Sequence, residues 1–587
     1  MARRRVARPG GCGDMVERVK TRRTLKFLVP LAAGFAAAFA MAQTQPATGT
    51  APTEQVSVEV HAGQPTGPYT PIWNFFGADE PNYIYYPKGR KLFRELSGFS
   101  PVPVYFRAHN LLTTGDGQPA LKWGSTNVYT ERPDGTPVYN WTITDRIFDA
   151  LTAAHIRPIV EIGFMPKALS THPNPYRHHF PHGPLFTGWS YPPNNWNKWS
   201  KLIVAYATHL RQRYGAQTST WYWEVWNEPD IPYWHGTPEQ YDRLYDLTTA
   251  AILKAIPNAR VGGPAATGIH PGRSEAFLRQ FLDHCAHGKN AATGGTGAPL
   301  DFISYHPKGS PKVVDGHLIM NIGAQLRAAR NGMQVVASDP RWRKIPIILT
   351  ESDPEGCAAC LGPRSAYRNI PLYGASVTEA IMRTSQLARK YGVTVSGSVT
   401  WAFEYDDKPA FAGYRTLSTD GINKPVLNAF HLMAMLGGKP GTVWLETEST
   451  GALPLEDVVQ HSVRGAADVN AVATRDGDQI DVLLWNYQDA NLPAPPAHVR
   501  LSIEGLHGDS VQASEFRMDA DHSSAYPLWL KMGSPPHPNA QQLAQLEKAG
   551  KLDESMPPHS LAVHAGTADL QVTLPRQSVV VVRLSNR

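Results

Sequence analysis

Residues 221–229 read Trp-Tyr-Trp-Glu-Val-Trp-Asn-Glu-Pro, and they open the clearest structural unit of the chain. The apolar run over 221–226 is followed by an amphipathic stretch over 238–256 and by a second short run, Arg-Val-Gly-Gly, over 260–263. A short apolar run bounded by turn residues indicates a buried strand, whereas apolar residues every three or four positions indicate a helix. The unit is therefore predicted to be strand, helix, strand.

The same unit recurs along the chain, which gives eight candidate strands: Ile72–Phe76, Val102–Phe106, Arg157–Ile162, Trp221–Trp226, Arg260–Gly263, Phe302–His306, Pro346–Thr350 and Ser396–Trp401. Candidate helices follow them at 88–96, 143–154, 196–214, 238–256, 274–284, 318–336, 377–391 and 424–436. No glycine-rich phosphate loop follows any strand. Eight such units predict an α/β fold in which a closed (β/α)8 barrel occupies residues 71–437.

The pattern changes after residue 437. Alternating apolar and polar residues recur at 471–473, 479–485, 498–503, 570–574 and 578–584, and one helical stretch lies at 541–549. Short alternating strands separated by Gly, Pro, Asp and Asn are typical of a β-sandwich. We therefore predict a sandwich domain over 438–587. A strand in the segment 43–70, which precedes the barrel, is a candidate member of this sandwich.

The net charge of +6, from 56 Lys and Arg against 50 Asp and Glu, is unevenly distributed. Residues 1–42 hold nine basic and two acidic side chains, so the remaining 545 residues carry 47 basic and 48 acidic ones. A nucleic-acid-binding surface would place its basic excess in the folded part of the chain. No nucleic-acid partner is therefore predicted.

The basic N-terminal segment has the anatomy of a signal peptide. Basic residues precede an apolar run over 27–41, and the small residues Ala40 and Ala42 flank its end. The run is short for a membrane-spanning helix. We expect residues 1–42 to be a signal peptide, which makes the mature protein secreted or periplasmic without a membrane partner; an uncleaved anchor is the alternative.

Three cysteines remain after Cys12 is removed with the leader. Cys357 and Cys360 are favoured as a local disulfide in an oxidising compartment, and Cys285 as a free thiol on an apolar helix face. A redox motif or half of a metal site is the alternative for the pair. A histidine-rich loop over 172–182 has spacings that fit no defined metal site. No metal and no cofactor is predicted.

Two glutamates end strands of the predicted barrel. Glu228 and Glu351 follow the fourth and seventh strands, where a carboxylate is costly unless it meets a partner or a ligand. Catalytic groups of such barrels lie at these strand ends. Paired carboxylates cleave glycosidic bonds with retention when about 5–5.5 Å apart and with inversion at about 6.5–9.5 Å. The pair therefore predicts a glycosidase.

Several ordered motifs make the barrel similar to family-39 glycoside hydrolases, which belong to a clan of retaining enzymes. The motifs are Tyr-Phe-Arg-Ala-His (105–109), Glu-Ile-Gly-Phe-Met-Pro-Lys-Ala-Leu (161–169), Gly-Trp-Ser-Tyr-Pro-Pro (188–193), Glu-Val-Trp-Asn-Glu-Pro (224–229), Phe-Ile-Ser-Tyr-His (302–306) and Trp-Ala-Phe-Glu (401–404). The resemblance implies that Glu228 is the general acid/base and Glu351 the nucleophile. It also implies a sugar site that includes Asn227, His109, His306 and Trp401.

Two positions depart from the best-known members of that family. Lys308 stands where many members carry Tyr, and Glu404 lies in a segment that otherwise reads Phe-Ser-Asp. Both are predicted to contact substrate, with pairing to a neighbouring Arg as the alternative for Glu404. Arg107 and Glu161 are expected to support the catalytic carboxylates.

The resemblance implies an exo-acting β-xylosidase that releases xylose from the non-reducing end of xylo-oligosaccharides by double displacement. Another exo-specificity of the family is the first alternative: β-glucosidase, β-galactosidase, an arabinose-releasing enzyme or an α-L-iduronidase-like enzyme. A non-catalytic carbohydrate-binding protein is the second. The nearly neutral mature chain favours an uncharged sugar.

Overall fold

The computed structural model describes residues 54–585. The predicted signal peptide, 1–42, and Cys12 lie outside these residues. Within the described part of the chain, no helix is both long enough and apolar enough to cross a bilayer.

Eight parallel strands close into a barrel, which confirms the predicted (β/α)8 fold. They are β1 (Phe75–Ala78), β2 (Tyr105–Ala108), β3 (Arg157–Ile162), β4 (Tyr222–Val225), β5 (Arg260–Thr267), β6 (Phe302–His306), β7 (Ile347–Leu349) and β8 (Val395–Trp401). The first two begin three residues later than predicted. Ile72 and Trp73 are buried ahead of β1 without belonging to the ladder, because an apolar run reports burial and not strand pairing.

Helices pack around the barrel in the predicted order: α1 (Pro87–Phe99), α2 (Thr142–Ala153), α3 (Trp196–Tyr214), α4 (Pro238–Ala255), α5 (Arg273–His287), α6 (Ile322–Ala337), α7 (Pro371–Tyr391) and α8 (Pro425–Met435). A capping box starts α4, since Thr237 accepts from the Gln240 amide and the Gln240 side chain accepts from the Thr237 amide. The prediction that α6 begins at residue 318 was wrong, because His317–Ile319 pairs with Lys312–Val314 in a hairpin.

The C-terminal domain is one nine-stranded sheet that folds over on itself as a sandwich. Its strands are β9 (Val443–Ser449), β10 (Asp468–Asp476), β11 (Gln479–Tyr487), β12 (Ala497–Glu504), β13 (Ser510–Met518), β14 (Asp553–Ala562), β15 (Thr567–Leu574), β16 (Ser578–Ser585) and an N-terminal strand, Glu54–Pro68. Val482 and Val580 from one end share a core with Val499 and Leu501 from the other.

The N-terminal strand lies inside this sheet. It runs antiparallel to β9 and parallel to β12. The sequence pattern missed β9, β13 and β14. The last of these is an exposed strand that contains Pro557 and Pro558 and shows no buried alternation, so its pattern resembles that of a loop.

The sandwich supports the helix that follows the β7 segment. Leu483 and Trp485 of β11 point into the barrel-side core, whereas Val482 points into the sandwich core. Arg383 of α7 bonds Glu379 at 2.8 Å on its own helix and also bonds Asp468 of the sandwich. A buried charge network therefore fixes α7 against the second domain.

Smaller elements complete the chain. They are the hairpins Tyr129–Glu131 with Pro137–Tyr139 and Ser418–Thr419 with Ile422–Asn423, the short helix Pro340–Arg343, and the helices α9 (Leu455–His461), α10 (Tyr526–Lys531) and α11 (Ala540–Ala549). The loop after β7 contains the predicted disulfide between Cys357 and Cys360, while Cys285 is a free buried thiol.

Candidate active site

Glu228 and Glu351 converge at the C-terminal mouth of the barrel. One carboxylate oxygen of each and a ring nitrogen of His306 lie within 4.8 Å of one another. Carboxyl groups of inverting glycosidases stand about 6.5–9.5 Å apart, and those of retaining enzymes about 5–5.5 Å. The nearest oxygens of the two carboxylates are therefore close enough to act on one bound group.

The turn after β4 aims Glu228 into the mouth. Trp226 and Glu228 have φ values of 71° and 44°, in the left-handed region that non-glycine residues rarely adopt. Their backbone amides donate to Ile162 O at 3.1 Å and to Ala265 O at 2.9 Å. These bonds to β3 and β5 hold a conformation that the turn would not keep alone.

Glu351 is surrounded by cationic and hydrogen-bonding groups. Lys308 Nζ lies 2.7 Å from Oε2, and Arg107 Nη1 and His109 Nε2 lie 3.1 and 3.2 Å from Oε1. Although burial raises the pKa of Glu351, the Lys308 charge and the His109 hydrogen bond hold it well below its usual range. Glu351 is therefore ionised.

Glu228 has a different environment. Burial and the negative charge of Glu351 raise its pKa to about 7. Its Oε1 lies 2.9 Å from His306 Nδ1, and His306 Nε2 lies 3.1 Å from Thr350 Oγ1. Burial lowers the pKa of His306 to about 3, so this ring is neutral and adds no charge beside Glu228.

Arg107 links the elements of the mouth. Its buried guanidinium contacts Glu224 at 2.5 Å, Glu161 at 2.8 Å and Glu351 at 3.1 Å. It also donates to Asn227 Oδ1 at 3.0 Å, which turns the Asn227 amide nitrogen away from the guanidinium. One side chain from β2 therefore orients groups of β3, β4 and β7.

His109 bridges two carboxylates. Its Nδ1 lies 2.5 Å from Glu161 Oε2, and its Nε2 contacts Glu351. Burial lowers the pKa of this imidazole, but the charge of Glu161 and the hydrogen bonds to Glu161 and Glu351 raise it to about 9. His109 is therefore a cation near pH 7, unlike His306.

Trp401 lies beneath these groups and is 2% exposed. Its ring centroid is 4.5 Å from that of His109 and 5.1 Å from the Arg107 guanidinium carbon. Asp353 accepts from the Trp401 backbone amide at 2.8 Å and from Lys308 Nζ at 2.6 Å. This placement suits a residue that forms the floor beneath the catalytic groups.

The structure places Glu404 apart from the other predicted site residues. Its carboxylate accepts from Ser418 Oγ and from the backbone amides of Asp420 at 3.2 Å and Gly421 at 3.4 Å. Burial raises its pKa to about 7. These contacts support the neighbouring turn and include no arginine, and the substrate contact of Glu404 stays a prediction.

Several residues at the site were not predicted. Asp353 lies two positions after Glu351, beyond the end of β7, and shares Lys308 Nζ with it. Lys122, from the inserted loop after β2, had no signal in the sequence. In the histidine-rich loop, His178 Nε2 lies 2.8 Å from Lys122 O, and no metal-ligating group forms there among residues 54–585.

Comparisons with known proteins agree with this geometry. The model of the family "Glycosyl hydrolases family 39" matches residues 90–562. A β-xylosidase of Caldicellulosiruptor saccharolyticus is 27% identical over 77% of this chain and 85% of that protein. An α-L-iduronidase of Mus musculus is 25% identical over 83% of this chain and 75% of that protein.

A solved structure has the same fold. The monomeric β-xylosidase of Caulobacter crescentus superposes with a TM-score of 0.70 at 21% identity, over 90% of this chain and 99% of that one. Because the family model covers most of the chain and the barrel mouth carries a close carboxylate pair, the chain belongs to family 39 of the glycoside hydrolases.

Proposed function

We propose that this glycoside hydrolase is a retaining, exo-acting β-xylosidase that releases xylose from the non-reducing end of xylo-oligosaccharides. The observation that carries the proposal is the Glu228–Glu351 pair, within 4.8 Å and with pKa values shifted in opposite directions. One group holds a proton and the other a charge, as double displacement requires.

In the first step a Glu351 oxygen attacks the anomeric carbon while the bond to the leaving oxygen breaks. Glu228 gives its proton to that oxygen. The new ester removes the negative charge of Glu351, which is one cause of the raised pKa of Glu228. Glu228 thus becomes a base, takes a proton from water, and the resulting attack at the anomeric carbon frees Glu351.

The neighbouring groups prepare this sequence. Lys308 and His109 keep Glu351 ionised in the free enzyme. Arg107 orients Asn227, whose amide nitrogen would donate to the sugar 2-hydroxyl, a bond that strengthens as positive charge develops at the anomeric carbon. His306 holds the Glu228 carboxyl at 2.9 Å.

The choice of xylose rests on two supports. Relatives named β-xylosidases match most of the chain. The Lys308 ammonium is also neutralised by contacts with Glu351 and Asp353 at 2.7 and 2.6 Å, so it is poorly placed to bind the carboxylate of a uronic acid.

An α-L-iduronidase-like activity is the second candidate. Its support is that an α-L-iduronidase is among the relatives that match most of the chain. The β-glucosidase, β-galactosidase and arabinose-releasing specificities have no such observation in their favour.

A panel of aryl glycosides tests the proposal. We expect the β-D-xyloside to give the highest kcat/KM, against the β-D-glucoside, β-D-galactoside, α-L-arabinoside and α-L-iduronide. Xylo-oligosaccharides should yield xylose as the first product, which separates exo from endo action. A higher kcat/KM on the iduronide would overturn the choice of sugar, and binding of xylobiose without hydrolysis would overturn the enzymatic role.

We further propose that the chain is exported and cleaved after Ala42. The Cys357–Cys360 disulfide supports an oxidising compartment. N-terminal sequencing of the protein from a periplasmic or culture fraction should begin at Gln43; a start at Met1 or Met15 would contradict cleavage.

A further inference from the structure

A second charged cluster lies beside the carboxylate pair. Asp79 and Glu80 follow β1, and Lys122 reaches them from the inserted loop after β2. Lys122 Nζ lies 3.0 Å from Asp79 Oδ2, and the Lys122 backbone amide donates to Glu80 Oε1 at 2.6 Å. The mechanism above uses none of these three residues.

His109 connects the cluster to the nucleophile. His109 Nε2 lies 3.4 Å from Asp79 Oδ1 and 3.2 Å from Glu351 Oε1, so a single ring nitrogen contacts both carboxylates. The side chains of Asp79, Lys122 and Glu351 are 6%, 8% and 7% exposed. Each side chain is therefore largely buried but keeps a small solvent-accessible fraction.

Hydrogen-bonding capacity is left over in this cluster. Within the described part of the chain, Lys122 Nζ makes one hydrogen bond, to Asp79, although an ammonium has three protons. Glu80 is 1% exposed and its Oε2 has no hydrogen-bond partner among residues 54–585. Buried polar atoms are rarely left unpaired without a ligand or water to meet them.

We propose that Asp79 and Lys122 bind adjacent hydroxyl groups on the far side of the sugar whose anomeric carbon faces Glu351, and thereby select an uncharged glycon. Each hydroxyl both donates and accepts. Asp79 accepts from one hydroxyl, and Lys122 donates to its neighbour. The inference rests on the proposed glycosidase function and specifies the substrate class of that site.

The same geometry disfavours a uronic acid. A sugar carboxylate near Lys122 would also lie near Asp79, only 3.0 Å from the ammonium, so repulsion offsets the attraction. A purely structural ion pair is the competing explanation. Buried pairs cost desolvation energy and stabilise little, which leaves a binding role as the better reason for two charges at this position.

Deoxy sugars separate the two explanations. Asp79→Asn and Lys122→Met should be assayed on 4-nitrophenyl β-D-xyloside and on its 3-deoxy and 4-deoxy analogues. Lys198→Met is the matched control, because it makes the same change in a Lys–Glu pair of 2.9 Å with Glu131, outside the cluster. Thermal unfolding of every variant reports on folding.

We expect each cluster variant to lose roughly 10- to 100-fold in kcat/KM on the parent xyloside, the equivalent of one hydrogen bond to a charged group. On the analogue that lacks the hydroxyl bound by the replaced residue, the variant and the wild type should have the same kcat/KM. An equal loss on the parent and both analogues would indicate a structural role and overturn the proposal, as would no loss on any substrate.

The wild-type result distinguishes failure of this inference from failure of the proposed sugar. If another neutral glycoside is preferred, the deoxy analogues of that sugar take the place of the xylosides with the same expectations. A preference for the iduronide overturns the inference. If no glycoside is hydrolysed, calorimetric titration with D-xylose decides: weaker binding by both variants supports the pair, and unchanged binding overturns it.

Discussion

The turn after β4 and the segment after β7 each place a glutamate at the barrel mouth, and the two carboxyls differ in their protonation state. Glu351 directly contacts an ammonium, a guanidinium and an imidazolium, whereas Glu228 directly contacts the neutral ring of His306 and feels cations only at longer range. Both carboxyls are largely buried, at 7% and 14% exposure. Burial alone would raise both pKa values. The difference shows that neighbouring cations, more than burial, assign the two roles.

Removing the carboxylate of Glu351, which follows β7, should have the largest effect on activity. Glu351→Gln keeps the shape but eliminates the nucleophile, so kcat should fall by about 10⁴-fold or more on an aryl xyloside. Unchanged thermal unfolding would show that the variant is folded. Near-normal turnover by a folded variant would refute the assignment of Glu351.

Removing the β4 carboxyl should cost less and should depend on the leaving group. Glu228→Ala is expected to lower kcat about 10²- to 10⁴-fold on substrates that need protonation, and less on an activated aryl xyloside. Azide should partly restore turnover of the activated substrate and yield a β-xylosyl azide. Without rescue and without dependence on the leaving group, Glu228 would not be the acid/base.

Removing the charge of Lys308 tests how this cation sets the pKa values of Glu228 and Glu351. Wild-type kcat/KM should fall above about pH 7 as Glu228 loses its proton, and its acidic limit should lie below the usual range for a carboxyl. Lys308 lowers the pKa of both glutamates, so Lys308→Met should move both limbs of the profile to higher pH. We expect a loss of roughly 10- to 100-fold at the optimum.

Lys308→Arg is the matched control, since it retains the cation. Its limbs should stay near the wild-type positions even if kcat changes. If the pH profile of Lys308→Met had its acidic and basic limbs at the wild-type positions, Lys308 would not set the ionisation of Glu351.

The smallest effect should come from the loop on the β7 side. Replacement of Cys357 and Cys360 by Ser opens a very short disulfide loop, for which chain entropy predicts a loss of about 2 kcal/mol in the free energy of unfolding. Arg368 still ties the loop through the carbonyls of Cys357 and Cys360 at 2.7 Å each. Calorimetry should show a lower Tm, while the pH profile stays in place; a shifted acidic limb would link the disulfide to Glu351.

The sequence predicted the parts of the molecule that depend on strand order. Glu228 and Glu351 could be located because each ends an apolar strand, and barrel topology brings such ends together. His109 and His306 were implied by the family resemblance, and Arg107 was expected to support the carboxylates. The hydrogen bond between Glu404 and Ser418 could not be predicted in this way, because it joins the end of β8 to a later loop.

Contacts made by inserted loops could not be predicted from the periodicity of the sequence. Lys122 lies 43 residues from Asp79, in a segment without periodicity, so no spacing rule connects them. The exposed strand β14 was missed for a related reason, since a strand that buries little shows no alternation. Both depend on tertiary contacts that short-range patterns do not encode.

The position of the N-terminal strand has a consequence for biosynthesis. Glu54–Pro68 pairs with β9 and β12, which end at Ser449 and Glu504. During synthesis from the N-terminus this strand emerges first, yet its partners follow only after the whole barrel has been made. Ser449, the last residue of the first partner strand, lies 381 residues after Pro68, so the whole barrel is made while an internal strand of the other domain is still unpaired.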